Sequence, residues 1–190
     1  MRTFIAISLP PEIQNSLAKL QQQLKTSGAD IKWVEPQNIH LTLKFLGERD
    51  DKKIEKVMLI LEDAAKGKKQ FKLRLSAIGA FPRISSPRVI WVGASEGDTE
   101  TKAIAQELEE KIAKIGIPKE ERAFSCHITI GRARSAKNIG NLIKELSGLA
   151  DKFGQETTEF TVNKITLYKS TLTPKGPIYE VLKEASLKTS

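Results

Sequence analysis

Apolar residues fall into blocks along the chain, and the spacing changes from one block to the next. Arg2 to Leu9, with the apolar run Phe4-Ile5-Ala6-Ile7-Ser8-Leu9, has the pattern of a mostly buried strand. Pro10-Pro11-Glu12 then opens a helix, because proline is tolerated in a first turn, and Ile13, Leu17, Leu20 and Leu24 recur on one helical face up to Gly28. A short extended piece, Ile31 to Val34, is broken by Glu35-Pro36 and followed by a strand holding Asn38-Ile39-His40-Leu41-Thr42-Leu43-Lys44-Phe45-Leu46-Gly47. Asp50-Asp51 caps a helix with Ile54, Val57, Met58, Leu61 and Ala65 inward, ending at Gly67. Phe71, Leu73 and Leu75 alternate with polar residues in a half-exposed strand.

Ala80 to Arg88, with two prolines and two serines, reads as a connection at the midpoint of the chain. The order then repeats. A strand from Val89 to Val92 precedes a helix opened by Asp98, with Ile104, Leu108, Ile112 and Ile115 inward and Gly116 at its end. A second strand, Cys126-His127-Ile128-Thr129-Ile130-Gly131, leads to a helix begun near Ser135 with Ile139, Leu142, Leu146 and Leu149 inward. In the strand from Phe160 to Tyr168 the apolar phase shifts, which predicts a bulge or burial on both faces. Ser170 to Gly176 reads as a turn and Ile178 to Leu182 as a final short strand. Both halves run strand, helix, strand, helix, strand, which predicts an internal duplication. The expectation is one domain, 1–190, built of two similar lobes at about 1–82 and 88–187.

The chain has only two histidines, His40 and His127, 87 residues apart, and each opens a His-x-Thr-x tetrapeptide at the same place in its half. Residues i and i+2 of a strand share a face. Each tetrapeptide therefore shows an imidazole and a hydroxyl on one side and two aliphatics on the other. About an approximate two-fold axis, the two imidazoles would face each other across a cleft.

Composition narrows the chemistry. With 190 residues, 39% of them hydrophobic, the chain can bury a core of its own. A formal charge of +8 favours an anionic partner, nucleic acid first. The single cysteine, Cys126, allows no internal disulfide and fits a reducing compartment. The first apolar run is too short for a signal peptide and no stretch is long enough for a membrane helix, so a cytoplasmic protein without membrane attachment is expected.

Imidazole titrates near neutrality, so a pair can supply one base and one acid for in-line displacement at phosphorus. Thr42 and Thr129 can then donate to the non-bridging oxygens. A zinc site would want a third ligand, which neither motif offers, and the neighbour position of Cys126 in a strand turns it away from His127. There is no nucleophile elbow, phosphate-cradling glycine loop or dinucleotide fingerprint. Lys44 has the strand phase of His40 and Thr42, which predicts a phosphate contact. Arg132 is out of phase with His127 and reaches the cleft only if the strand ends or bulges at Gly131. Arg83, Arg88 and Arg134 are further cation candidates, and Trp33, Phe124, Tyr168 and Trp91 could stack on a base.

At these residues the sequence resembles the 2H phosphoesterases, and within them the RNA 2′,3′-cyclic phosphodiesterases, also called 2′-5′ RNA ligases. The likeness includes Arg2 to Pro10, Lys32-Trp33-Val34 through Gly47, Gly79-Ala80-Phe81-Pro82, Arg88 to Trp91, the second motif with Arg132, Leu167-Tyr168-Lys169-Ser170 and Pro174-x-Gly176-x-x-Tyr179. The resemblance implies a bilobal α+β fold of pseudo-two-fold symmetry, with two antiparallel sheets around a central cleft and helices outside. It implies metal-independent hydrolysis of a terminal 2′,3′-cyclic phosphate on RNA to a 2′-phosphate, with no cofactor. His40 would be the proton donor to the departing 3′-oxygen and His127 the base that activates water. Attack by a 5′-hydroxyl instead would give 2′-5′ ligation. The implied partner is RNA with cyclic-phosphate ends, tRNA fragments included, bound by a monomer. The alternatives are a 2H enzyme for a small cyclic-phosphate nucleotide and a non-catalytic RNA-end-binding module. Ser125-Cys126 stands where the family more often has a basic residue followed by proline.

Overall fold

The long apolar run at the amino terminus becomes a central strand, and the rest of the chain is laid down around it. The computed structural model describes residues 1–153 and 158–189. These form β1 (Arg2–Ser8), α1 (Pro11–Lys25), β2 (Ile31–Trp33), β3 (His40–Glu48), α2 (Asp51–Ala65), β4 (Phe71–Arg83), β5 (Ser86–Glu96), α3 (Asp98–Ala113), β6 (His127–Ala133), α4 (Ile139–Phe153), β7 (Thr158–Val162), β8 (Lys164–Thr173) and β9 (Gly176–Ser186). A single turn of 3-10 helix, Pro36–Asn38, sits just before β3. Helix starts follow the expected chemistry: Pro11 opens α1, and the Asp50 carboxylate accepts from the Lys53 amide at 2.8 Å at the start of α2.

Two antiparallel sheets result, as expected for the α+β class. One has four strands in the order β3-β1-β8-β9, the other five in the order β2-β6-β5-β4-β7. β1 is buried along most of its length because it is flanked by strands and covered on one face by core. Helices α2 and α3 pack with the four-stranded sheet, and α1 and α4 with the five-stranded one. One apolar core runs through both layers, from Ile5, Ile7 and Leu41 to Ile90, Ile128 and Leu146. The two motif strands, β3 and β6, lie against each other where the sheets meet.

The spatial layers do not follow the sequence halves 1–82 and 88–187. Ala80 to Arg88 is a tight hairpin and not a loose connection, so β4 pairs with β5, Arg83 opposite Ser86. Local pairing pulls the last strand of the first half into the five-stranded sheet. The end of the chain goes the other way, with β8 and β9 completing the sheet of β1 and β3. The phase shift between Phe160 and Tyr168 marks this exchange. β7 ends at Val162 on β4, Asn163 interrupts, and β8 begins at Lys164 on its way to β1. What reads as one bulged strand is two strands in different sheets. Likewise β8 continues to Thr173, so only Pro174 and Lys175 make the turn.

Each motif strand carries a bulge three residues after its histidine. In β3 the register steps from Ala6↔Thr42 to Ile5↔Lys44, leaving Leu43 extra. In β6 it steps from Trp91↔Thr129 to Ile90↔Gly131, leaving Ile130 extra. A bulge reverses the facing of the residues that follow it, up to the next irregularity. This corrects the expectation for Lys44: past the bulge it points into the core, 2% exposed, while Phe45 takes the outer face at 56%. The Lys44 ammonium donates to Glu109 of α3 at 2.7 Å and to the Pro118 carbonyl at 3.2 Å. Glu109 in turn accepts from the Glu120 amide at 3.2 Å. Lys44 therefore ties the first motif strand to the segment that leads into the second. Its side chain is 0% exposed against 18% for Glu109, so the two partners are unequal. Glu109→Leu, which strands a buried ammonium, is expected to cost about 3–5 kcal/mol. Lys44→Met should cost less, because the carboxylate left behind reaches water. Urea unfolding checks the order, with the double variant closer to the parent than Glu109→Leu; equal losses for the two single variants would contradict this account.

Candidate active site

The same local geometry recurs at both histidines. His40 Nδ1 lies 2.7 Å from the carbonyl of Asn38, and His127 Nδ1 lies 2.8 Å from the carbonyl of Ser125, in each case two residues upstream. A carbonyl only accepts, so Nδ1 must carry the proton in both places. Nε2 is then the atom left to gain or lose a proton. At His40 it lies 2.9 Å from the Thr42 hydroxyl, which donates to it when the ring is neutral. Each ring is also met edge-on by an aromatic: Tyr179 at 5.4 Å and 87° for His40, Phe81 at 5.1 Å and 87° for His127.

The surroundings differ in burial. Phe4 lies under His40 with centroids 4.8 Å apart, and Phe4 is itself stacked on Tyr168 at 5.3 Å. Burial disfavours the imidazolium and lowers the pKa of His40, an effect only partly offset by the bond to Asn38. A cavity of about 420 Å³ opens beside this ring, lined by Phe4, Gln37, Asn38, Ile178 and Tyr179 among others. Burial also raises the Tyr179 hydroxyl, and the charges of Arg2 and Arg132 pull it the other way. Arg132 belongs to the five-stranded sheet and Tyr179 to the four-stranded one, so the field of the second half-site reaches the first.

The register places the remaining candidates. Trp91 pairs with Thr129 and Val89 with Arg132. Val89 and Trp91 are two apart on one strand and share a face, so Arg132 stands on the face of Thr129 and His127. The bulge at Ile130, one residue before the expected Gly131, achieves this. Thr42 and Thr129 are both half-buried beside their histidines. Of His40, His127, Thr42, Thr129, Lys44 and Arg132, only Lys44 is directed away from this surface. Arg83, Arg88 and Arg134 are exposed at or near strand ends.

The aromatic candidates are mostly structural. Trp33 and Phe124 pack against the core, and Trp33 crosses Gly131, where an added Cβ would lie 2.9 Å from the indole. Trp91 lies over Gly79, where a Cβ would come within 2.4 Å of its ring. Those two glycines are required by close approach and not by turns. Cys126 is buried and its thiol is pushed up to about 11 by desolvation, so it stays protonated at neutral pH. Among the described residues no group of three His, Cys, Asp or Glu side chains is placed to hold a metal ion, and no helix is long and apolar enough to cross a membrane. Sequence reasoning assigned no role to Phe4, Phe81 or Tyr179, the aromatics that touch the histidines. For Phe4 the available signal was cross-strand register, which places it opposite Phe45 and Tyr168, and the pairing with Phe45 needs the bulge.

A family model described as LigT-like phosphoesterase matches the chain twice, over residues 7–91 and 92–179, one motif in each match. The chain is 41% identical over 185 residues to the RNA 2′,3′-cyclic phosphodiesterase of Methanocaldococcus jannaschii, covering 97% of this chain and 99% of that one. It is 35% identical to the protein of the same description from Aquifex aeolicus, over 97% and 96% of the two chains. Among solved structures, a Thermus thermophilus protein aligns with a TM-score of 0.81 at 28% identity, covering 98% of both chains. The E. coli LigT complex with 3′-AMP aligns at 0.76 and 28% identity, over 98% of this chain and 97% of that one. The duplicated matches, the full-length identities and the two matched half-sites together establish that the chain belongs to the LigT-like phosphoesterase family.

Proposed function

We propose that the protein hydrolyses 2′,3′-cyclic phosphates at RNA ends to 2′-phosphomonoesters, with His40 and His127 as a coupled acid and base. The observation that carries this reading is the duplicated hold on Nδ1, which leaves Nε2 as the one nitrogen open to a proton in each half-site. The relatives described as RNA 2′,3′-cyclic phosphodiesterases support the substrate class. In the proposed step His127 Nε2 removes a proton from water, the water oxygen bonds to phosphorus, and the P–O3′ bond breaks. The departing 3′-oxygen takes its proton from His40 Nε2, and the two electrons of the broken bond stay on that oxygen. Thr42 and Thr129 donate to the non-bridging oxygens. A 5′-hydroxyl in place of water would give a 2′-5′ linkage from the same groups. The enzyme would work as a cytoplasmic monomer on RNA fragments, tRNA pieces among them.

A neutral, buried His40 accounts for how the acid is loaded. Before substrate arrives, burial favours the neutral ring. An arriving phosphodiester is an anion, and a negative charge nearby favours the imidazolium. Substrate thus raises the affinity of Nε2 for the proton it must later give up.

Two measurements test this. Hydrolysis of a cyclic-phosphate-ended oligoribonucleotide is expected to persist in excess chelator and to yield a 2′-phosphate; a 3′-phosphate product would reverse the assignment of the leaving oxygen. In an NMR titration of the ligand-free protein, His40 is expected to titrate below the ordinary value of about 6.5, and to move up when uridine 2′-phosphate binds. That ligand should therefore bind more tightly as the pH falls towards the depressed value. An unchanged His40 titration on binding would contradict the loading step.

A further inference from the structure

The two half-sites share the hold on Nδ1 and the position of the bulge, and beyond the bulge they part company. In the four-stranded sheet the motif strand β3 is the edge strand, whereas in the five-stranded sheet β2 lies outside β6. β2 has no counterpart in the other sheet, and its Lys32 is in register with Arg132. Residues directly opposite in an antiparallel pair share a face. The ammonium and the guanidinium therefore stand side by side on the surface that carries His127 and Thr129. Both are exposed, and neither joins an ion pair among the described residues. Like charges directly opposite destabilise a sheet, and an anion lying across the two would turn that repulsion into attraction. The equivalent place beyond the bulge of β3 carries Phe45, with no strand outside it.

We infer that Lys32 and Arg132 together bind the phosphodiester one nucleotide upstream of the cyclic phosphate, so that the RNA chain leaves the site across β2. Arg132 lies about 7 Å beyond Thr129 along the strand, a span that a single nucleotide bridges. Guanidinium and ammonium are both suited to phosphate, the first as a planar fork and the second as a point charge. The pair also supplies what a pseudo-symmetric acid-base site lacks, a direction. With the chain held on the His127 side, the cyclic phosphate is presented one way round, and one histidine meets O3′. The inference rests on the cyclic phosphodiesterase reading and narrows its substrate to oligonucleotides.

The test compares kcat/KM for uridine 2′,3′-cyclic phosphate with that for the dinucleotide UpU ending in the same group, at low salt. The parent is expected to favour the dinucleotide by about tenfold, the scale of one charged hydrogen-bond contact. Lys32→Ala should shrink that ratio several-fold and Lys32→Arg should keep it. Lys56→Ala, an exposed lysine on α2, should leave the ratio at the parent value. In Lys32→Ala the log-log salt dependence for the dinucleotide should flatten by about 0.7, one single-strand phosphate contact. An unchanged ratio in Lys32→Ala, an equal loss in Lys56→Ala, or a parent without preference would overturn the inference. Equilibrium binding of uridine 2′-phosphate and of UpU 2′-phosphate repeats the comparison without turnover. A Lys32-dependent preference in binding together with no hydrolysis of either substrate would sink the catalytic reading and uphold this one; equal binding of the two ligands would sink this one.

Discussion

A neutral imidazole has one donor nitrogen and one acceptor, and the carbonyls of Asn38 and Ser125 settle which is which. Each carbonyl accepts a hydrogen bond from Nδ1–H, so Nε2 is the nitrogen left to gain or lose a proton and each ring is held by its own backbone. The bond costs no extra side chain, because the accepting carbonyl is supplied by the backbone just ahead of each motif strand. The edge-on aromatics, Tyr179 and Phe81, complete the support with apolar contact. The hydroxyls two residues on and the charge of Arg132 lie on the same surface as those two nitrogens.

The fold brings the two strands together by exchanging parts between the halves of the chain. β4 leaves the first half to pair with β5, and β8 and β9 leave the second to pair with β1. Neither half forms a complete sheet alone, so the motif strands are placed by pairings that cross the midpoint of the sequence. The Lys44–Glu109 pair, with Pro118 and Glu120, adds a buried polar link between the strand of His40 and the approach to His127. Such an arrangement resists independent movement of the two half-sites, which suits a reaction that needs both at once.

The placement of each threonine beside its histidine was legible in the sequence because strand period alone puts i and i+2 together, and the bulges come only afterwards. The helices were legible from their apolar periodicity. Lys44 and Phe45 were not, because one extra residue at Leu43 exchanges their faces and no residue type announces it. Arg132 turned on the same event in β6, where the need for a bulge was visible but its position at Ile130 was not. The hairpin at Ala80 to Arg88 resembled a linker because its prolines and serines suit either role, and pairing partners are a property of the whole chain. Tyr179 carried no strand-phase signal for His40, since the contact crosses from β9 to β3 over two intervening strands.

The central claim is that the two half-sites form one acid-base device. Its most direct measurement is kcat for a cyclic-phosphate-ended oligoribonucleotide in His40→Ala, His127→Ala and the double variant. If the two imidazoles act as a unit, each single change costs about 10²-fold or more, and the double change costs little beyond the worse single one. A single variant within tenfold of the parent, or losses that simply multiply in the double variant, would contradict it.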